Sequence, residues 1–458
     1  MGARDSGQST VGILGAGLSG VLMAMQLRRA GVDAFTIYEK QPDVGGTWLR
    51  NRYPGLHCDI PAHLYSYSFE PNPNWSMVYA GQPEIQAYIR SCAEKYNLVE
   101  HLRPDTCVEA ARYDEDRARW ALELASGEEA THRMVVSATG GLTEARLPRI
   151  PGLDTFAGPM WHSASWRDDV DLKGQRVAVI GSAASAVQVV PEVARRAAEV
   201  VVFSRTPNWV MPRGNRHYTQ EEQEAARSDA AMRRIRRHQY REAMLWYGAY
   251  RKNASAIKQL REICLANLHG AIDDPVLIEA LTPDYEPGCK RILVSDDYYP
   301  ALAQDHVQLI PHGVEALTAD SIVASDGSKT PVDVVIFSTG YRLGGRAEGG
   351  PALHVFGRAG QRLSEALGRQ PEAYRGIAIP GFPNYFTICG VNGTVAYGSL
   401  IASAEVQTEV IARWAGRLLD GDVHSVEVRA DASKEFNKGI QAELQNMSWT
   451  GDCPNFYR

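Results

Sequence analysis

Two stretches of the chain carry small residues at the spacing that brings a backbone against a pyrophosphate. The first is GAGLSG, residues 15–20, set between the apolar run VGIL and a helix-period segment, and followed by a second apolar run ending at Glu39. Gly15 allows the tight turn, Gly17 lets the main chain approach a phosphate, and Gly20 lets the helix pack closely on the sheet. The helix N-terminus that follows presents free N–H groups to an anion. Glu39 stands where a carboxylate accepts hydrogen bonds from a ribose, which favours a dinucleotide with a free 2′-hydroxyl, FAD or NAD. The second stretch is GSAASA, residues 181–186. Here Gly181, Ser182, Ala183, Ser185 and Ala186 follow the same plan, but Ala183 replaces the middle glycine and turns a methyl group toward the phosphates. Ala186 takes the third position. The departure predicts looser or slightly shifted pyrophosphate binding. A structural unit that has lost its nucleotide is the alternative, and the next strand argues against it. That strand ends in Arg205 and Thr206, where the first unit has Glu39, and a cation beside a hydroxyl suits a 2′-phosphate. The second site is therefore expected to take NADPH, the first FAD, and hydride must cross between them where the two units meet.

The elements that position these loops read as one supersecondary unit used twice. Residues 11–40 and 176–206 each run strand, small-residue loop, helix, strand, and each copy is later followed by a strand ending in Thr-Gly, at 135–141 and 335–341. The predicted fold class is α/β, two nested Rossmann-like dinucleotide-binding domains with a helical insertion. The expected boundaries are 1–145 with 346–458 for the FAD-binding domain, 146–214 with 285–345 for the NADPH-binding domain, and 215–284 for the insertion. The insertion is rich in Glu, Arg and Ala at helical spacing. Its Arg233, Arg234, Arg236 and Arg237, flanked by acids, read as a solvated helix face. Its aromatic residues Tyr240, Trp246, Tyr247 and Tyr250 could line a pocket or pack a core. Near the C-terminus, FPNYFTICGVNGTVAYGSL reads as a strand and a Gly-rich turn, and SAEVQTEVIARWAGRLL as a closing helix.

Between the two units lies GGTWLRNRYPGLHCD, residues 45–59, whose pattern Gly-Gly-x-Trp, Tyr-Pro-Gly, Asp resembles a fingerprint of Baeyer–Villiger monooxygenases. The matching positions are Gly45, Gly46, Trp48, Tyr53, Pro54, Gly55 and Asp59. A second fingerprint, Phe-x-Gly-x-x-x-His-x-x-x-Trp, is met by Phe156, Gly158, His162 and Trp166. Related N- and S-oxygenating enzymes typically carry Tyr in place of that Trp. The family usually continues with Pro or Asp, and this chain has Arg167 before Asp168. RTPNWVMPR at 205–213, PGCKR at 287–291 and SWTGDCPNFY near the end are similar to further family segments, with Phe456 where Trp is usual.

The resemblance implies roles residue by residue. Arg291 would be the catalytic arginine over the flavin, and Asp59 its partner beside the flavin. Lys290, Arg205 and Thr206 would hold the 2′-phosphate of NADPH. Gly46, Thr47, Trp48 and Tyr65 would line the flavin site, and the backbone near Val108 would contact the adenine. His162 would serve domain movement. The implied reaction uses NADPH to reduce FAD, forms a flavin peroxide from O₂, and inserts one oxygen next to a ketone carbonyl to give an ester or lactone. A permanently charged guanidinium suits that chemistry because it stabilises the anionic oxidant and the oxyanion of the adduct. Two other readings follow from the departures at Ala183 and Arg167 and from an end at Arg458, short of the tail of many members. They are oxygenation of nitrogen or sulfur with the same cofactors, and a non-catalytic flavin-binding protein.

Composition sets outer limits. With 458 residues, 44% hydrophobic, 22% charged and a net charge of −6, the chain is an ordinary globular protein of two or three domains. The charge gives no general pull toward nucleic acid or acidic lipid. No apolar run reaches membrane-span length and the polar start shows no signal peptide. Seven cysteines, odd in number, scattered and without a CxxC pair, argue against a disulfide framework or a zinc site and fit a reducing cytoplasm. The expected partners are a small-molecule ketone and O₂, and the oligomeric state is left open.

Overall fold

The computed structural model describes residues 10–342, 353–393, 398–451, 453 and 455. Two five-stranded parallel sheets organise it. In the first, the order is Tyr385–Thr387, Met134–Ser137, Val11–Leu14, Phe35–Tyr38, Leu102–Arg103. In the second it is Val307–Ile310, Glu199–Phe203, Arg176–Ile180, Val334–Phe337, Met160–His162. All pairings in both are parallel. In each sheet the strand entering the small-residue loop is central. The strand that follows the helix lies on one side of it and the Thr-Gly strand on the other, as the doubly wound plan requires. The central strands are buried on both faces, as expected of parallel strands covered by helices.

The two sheets differ in where their outermost strand comes from. The first recruits Tyr385–Thr387, which arrives only after the chain has built the whole second sheet. The second recruits Met160–His162, which precedes its own glycine loop and belongs to the FAGPMWHSASW linker. Each edge strand therefore stitches the beginning or the end of one unit to the other, and the nesting follows. Each unit also carries a small antiparallel meander. One is Val108–Asp114, Arg119–Leu124 and Glu129–His132, with His354–Phe356 added; the other is Val314–Leu317, Ser321–Ala324 and Lys329–Pro331.

Helix Leu18–Arg29 is buried along most of its length and packs against Leu400–Leu419, whose Ile401, Ala404, Ile411, Ala412, Ala415 and Leu418 enter the same core as Val21 and Met25. The expected closing helix is thus in place. Between 215 and 284 the chain forms four helices, Gln220–Ala226, Asp229–Tyr250, Ala254–His269 and Pro275–Leu281. Thr219 and Glu222 form a reciprocal capping box at the first. Of the four arginines in the second, Arg233, Arg234 and Arg237 are exposed, but Arg236 is tucked inward and donates to the carbonyls of His63 and Ser66 and to Ser66 Oγ. It fastens the helix to the first unit, so the solvated-face reading fails for that residue. The aromatic residues divide as well: Tyr240 is half exposed, whereas Tyr250 is fully buried against Trp449. Among the described residues, no helix is long and apolar enough to cross a membrane.

Candidate functional site

The first glycine loop is closed by backbone contacts that leave no space for a side chain at Gly15 or Gly20. Gly15 has φ +100°, and a Cβ there would stand 2.7 Å from the carbonyl oxygen of Ala138. A Cβ on Gly20 would fall 1.9 Å from Gly15 O. Gly17 and Gly46 face each other so closely that a Cβ on Gly46, itself at φ +55°, would come within 2.7 Å of Gly17 Cα. The GG of residues 45–46 is therefore packed onto the loop it follows. Helix Leu18–Arg29 begins with no side-chain cap and no acid in its first turn, which leaves its N–H groups directed at an anion. Glu39 is buried, and its carboxylate accepts from Ala16 N at 2.7 Å and Gln41 N at 2.9 Å. It fastens the glycine turn while keeping lone pairs for a ribose. Val108 opens its strand two residues beyond Thr106, whose N–H bonds Glu39 O at 2.8 Å, so it stands at the Glu39 end of the sheet. A cradle closed to side chains at Gly15, Gly20 and Gly46, ending in an uncapped helix and a carboxylate, fits the pyrophosphate and ribose of FAD.

The second loop is built similarly. Gly181 has φ +124°, and a Cβ there would lie 2.3 Å from Ser338 O. Helix Ala186–Ala194 likewise starts without a side-chain cap or a first-turn acid. Ala183 is exposed at the loop and Ala186 is fully buried. Ser182 Oγ donates to Thr206 O at 3.0 Å and Asn208 Nδ2 to Ser182 O at 3.0 Å, which joins the loop to the Arg205–Thr206 strand end. Lys290 sits over the Tyr285 ring at 4.4 Å. Burial lowers its ammonium pKa, Asp284 opposes the shift, and Arg205 adds to it. Lys290 and Arg205 are thus close enough to repel, a pairing that suits one shared anion such as the 2′-phosphate of NADPH.

The stretch from 45 to 59 runs from one unit to the other. Thr47 begins the short helix Thr47–Arg50, and Trp48 Nε1 donates to Tyr65 OH at 3.0 Å with the rings edge to face. Asn51, buried, donates through Nδ2 to Thr47 O at 2.9 Å and accepts at Oδ1 from Tyr341 OH at 2.6 Å. Tyr53 enters the core of the second unit, and burial raises its phenol pKa. Gly55, at φ +76°, lies against Gln188 O, where a Cβ would be 2.8 Å away. Gln188 Oε1 accepts from His57 N at 3.3 Å and its Nε2 donates to His57 O at 3.0 Å. The Tyr-Pro-Gly corner is therefore a docking corner on helix Ala186–Ala194. Beyond it, Asp59 Oδ2 accepts a hydrogen bond from Arg291 Nε at 2.8 Å, and Arg291 Nη2 lies 2.8 Å from the same oxygen in an ion pair. Both side chains remain partly accessible, at 27% for Arg291 and 34% for Asp59. Cys58 beside them is buried and its thiol pKa is raised by that burial and then by the Asp59 charge, so it stays neutral.

Sequence reasoning missed Gln188, Asn51 and Tyr341. Gln188 is a polar residue in the apolar run AVQVV, the one visible signal; Asn51 and Tyr341 gave none. It also missed a covalent link. Cys289 and Cys453, 164 residues apart, form a disulfide, which corrects the expectation drawn from the scattered spacing. Separation along the chain carries no information on closeness in a nested fold. In the linker, Gly158 stacks under Phe156 and against Asp333 O, Trp161 and Trp166 meet edge to face, and buried His162 lies against the Tyr341 ring. Arg167 is exposed and pairs with Asp169. Phe456 lies outside the described residues.

A family model described as flavin-binding monooxygenase-like matches residues 8–246. A Baeyer–Villiger monooxygenase of Streptomyces coelicolor is 38% identical over 455 residues, 98% of this chain and 86% of the relative. One from Pseudomonas aeruginosa is 38% identical over 98% of this chain and 85% of its own. Among solved structures, an oxidised steroid monooxygenase bound to NADP superposes with a TM-score of 0.87 at 27% identity, covering 98% of this chain and 94% of that one. OTEMO in complex with FAD and NADP gives 0.86 at 28%, covering 97% and 92%. With two small-residue dinucleotide loops, an Asp59–Arg291 pair and relatives matching along nearly its whole length, the chain belongs to the Baeyer–Villiger monooxygenases of the flavin-binding monooxygenase-like family.

Proposed function

We propose that this flavin monooxygenase uses FAD and NADPH to insert one atom of O₂ beside a ketone carbonyl, giving an ester or lactone. The observation that carries the reading is the Asp59–Arg291 pair, one Nε–H bond and one Nη2 ion-pair contact on a single carboxylate oxygen at 2.8 Å, partly open to solvent, which joins the segment after the first cradle to the loop that bears Lys290. FAD, when bound and reduced, supplies the activation of O₂. The chain does the rest. Gly15, Gly17, Gly20 and Gly46 admit the flavin's pyrophosphate, Glu39 receives its ribose, the backbone near Val108 meets its adenine, and Thr47, Trp48 and Tyr65 line its ring. Gly181, Ser182, Ala183, Ser185 and Ala186 present the second helix N-terminus to NADPH, and Arg205, Thr206 and Lys290 take its 2′-phosphate. Arg291 holds a fixed positive charge where negative charge grows on the carbonyl oxygen. Asp59 fixes the guanidinium plane and moderates its field. We assign residues 1–145 and 346–458 to the FAD-binding domain, 146–214 and 285–345 to the NADPH-binding domain and 215–284 to the insertion; the two parallel sheets support this division.

The test is product analysis under ¹⁸O₂ with NADPH and a panel of cyclic and linear ketones. One labelled oxygen in an ester or lactone, formed in step with NADPH consumed, is the expected result. Labelled amine or sulfide oxides with no labelled ester would sink the reading. Arg167, the residue that motivated heteroatom oxygenation, lies in an exposed pair with Asp169.

A further inference from the structure

Cys289 directly precedes Lys290 and Arg291, and its sulfur is bonded to Cys453 in the C-terminal segment. Both cysteines are nearly sealed, at 3% and 7% exposure. The segment that supplies Cys453 is also held by non-covalent contacts, one to the same loop and the others to the end of helix Asp229–Tyr250. Ser448 Oγ donates to Gly288 O at 2.6 Å, Lys252 Nζ donates to Gln445 O at 2.9 Å and Thr450 Oγ1 at 3.0 Å, and Arg251 pairs with Glu443 at 2.9 Å. Gly288, at φ +93°, gives the loop a conformation other residues resist. The bond thus ties the loop bearing two proposed functional cations to a chain end that also clasps the end of helix Asp229–Tyr250.

We propose that the Cys289–Cys453 bond is a redox-reversible tether that holds Lys290 against the NADPH site and Arg291 against Asp59, so that its reduction weakens NADP binding and uncouples NADPH oxidation from oxygen transfer. The inference rests on the functional reading of Lys290 and Arg291. The chemistry is thiol–disulfide exchange. A dithiol donates two electrons and two protons, the Cys289–Cys453 S–S bond breaks to two thiols, and the dithiol closes to its own disulfide. Because both sulfurs are covered, the C-terminal segment must lift before a thiolate can attack, and saturation of the NADP site should slow the reduction. The other five cysteines are free thiols, so Cys289–Cys453 is the one disulfide available for reduction among the described residues.

The test uses the full-length holoenzyme purified without reductant. It is alkylated under denaturing conditions with and without prior dithiothreitol, then digested and mapped. The expected result is a cross-linked peptide pair joining Cys289 to Cys453 that disappears on reduction; free, alkylated thiols at both positions in the unreduced sample would overturn the proposal. NADP⁺ titrations followed by the flavin spectrum then compare oxidised and reduced protein. Reduction should raise the Kd by roughly fivefold or more, and Cys453→Ser should match the reduced protein and ignore dithiothreitol. An unchanged Kd after verified reduction would overturn the proposal without using the variant. Neither mapping nor titration requires turnover, so failure to oxygenate any ketone would count against the functional reading and not against the tether.

Discussion

At the residue scale, charge placement decides the outcome. Arg291 contributes a permanent charge, held by an Nε–H bond and an Nη2 ion-pair contact to one Asp59 oxygen. Arg291→Ala should reduce ketone oxygenation by about 10²–10³-fold, the loss typical of removing a donor aimed at a developing oxyanion. NADPH oxidation should continue with release of hydrogen peroxide, measured by oxygen electrode and product yield; full oxygenation in the variant would refute the role. Lys290 gives a pH signature. Its ammonium must be protonated to hold a phosphate dianion, so the affinity it supplies is present below its pKa and lost as pH rises through it. Burial, and then Arg205, place that pKa below the ordinary lysine value. The KM for NADPH should therefore climb at a lower pH than an exposed lysine would allow, and Lys290→Arg should flatten the climb. Lys290→Met should raise the KM by roughly 10- to 100-fold, the equivalent of about 1.5–3 kcal/mol for a charged hydrogen bond. A KM profile in Lys290→Arg that still rises would assign the titration elsewhere.

At the element scale, the two glycine loops look alike in sequence but tolerate different substitutions. The sequence pattern accepts Ala or Gly at the third position, and in the second loop Ala186 is native and fully buried. In the first loop a Cβ on Gly20 would stand 1.9 Å from Gly15 O, a backbone atom that cannot swing away. Gly20→Ala should thus give protein without flavin, read as loss of the absorbance near 450 nm relative to protein, whereas Ala186→Gly should keep both cofactors at a cost of about 1 kcal/mol in stability. A yellow, fully loaded Gly20→Ala protein would show that the loop relaxes. The strand–loop–helix–strand repeats were legible because periodicity and small residues are local signals. The origin of the edge strands was not: Met160–His162 and Tyr385–Thr387 are three-residue strands whose partners lie far along the chain. The cradle glycines, Glu39, Arg205 and Thr206 were legible for the same local reason. Asp59 and Arg291 were legible only through resemblance, since 232 residues separate them and no local pattern joins them.

At the scale of the whole molecule, residues 51–59 of one unit are held by the other at three successive points: Asn51 by Tyr341, Tyr53 through His57 by Gln188, and Asp59 by Arg291. The first two ties join the units on either side of the third, which is the pair proposed to carry the chemistry. If the sheets shift, Arg291 leaves Asp59 unless the outer ties give way first. Gln188 and Tyr341 are therefore positioning residues whose loss should alter coupling more than cofactor binding. Tyr341→Phe removes one hydrogen bond and Gln188→Leu removes up to three, each bond worth about 1 kcal/mol net. Each single variant should raise the fraction of NADPH diverted to hydrogen peroxide a few-fold, with kcat for ketone oxygenation falling while the flavin remains bound. The double variant is the decisive measurement. Ties that act on one shared rigid-body position compensate for each other, so removing both should cost more than the sum of the single losses. Strict additivity would mean that each side chain acts only on its own neighbours, and the geometry between the two cofactor sites would then have to be held by the packed interface alone.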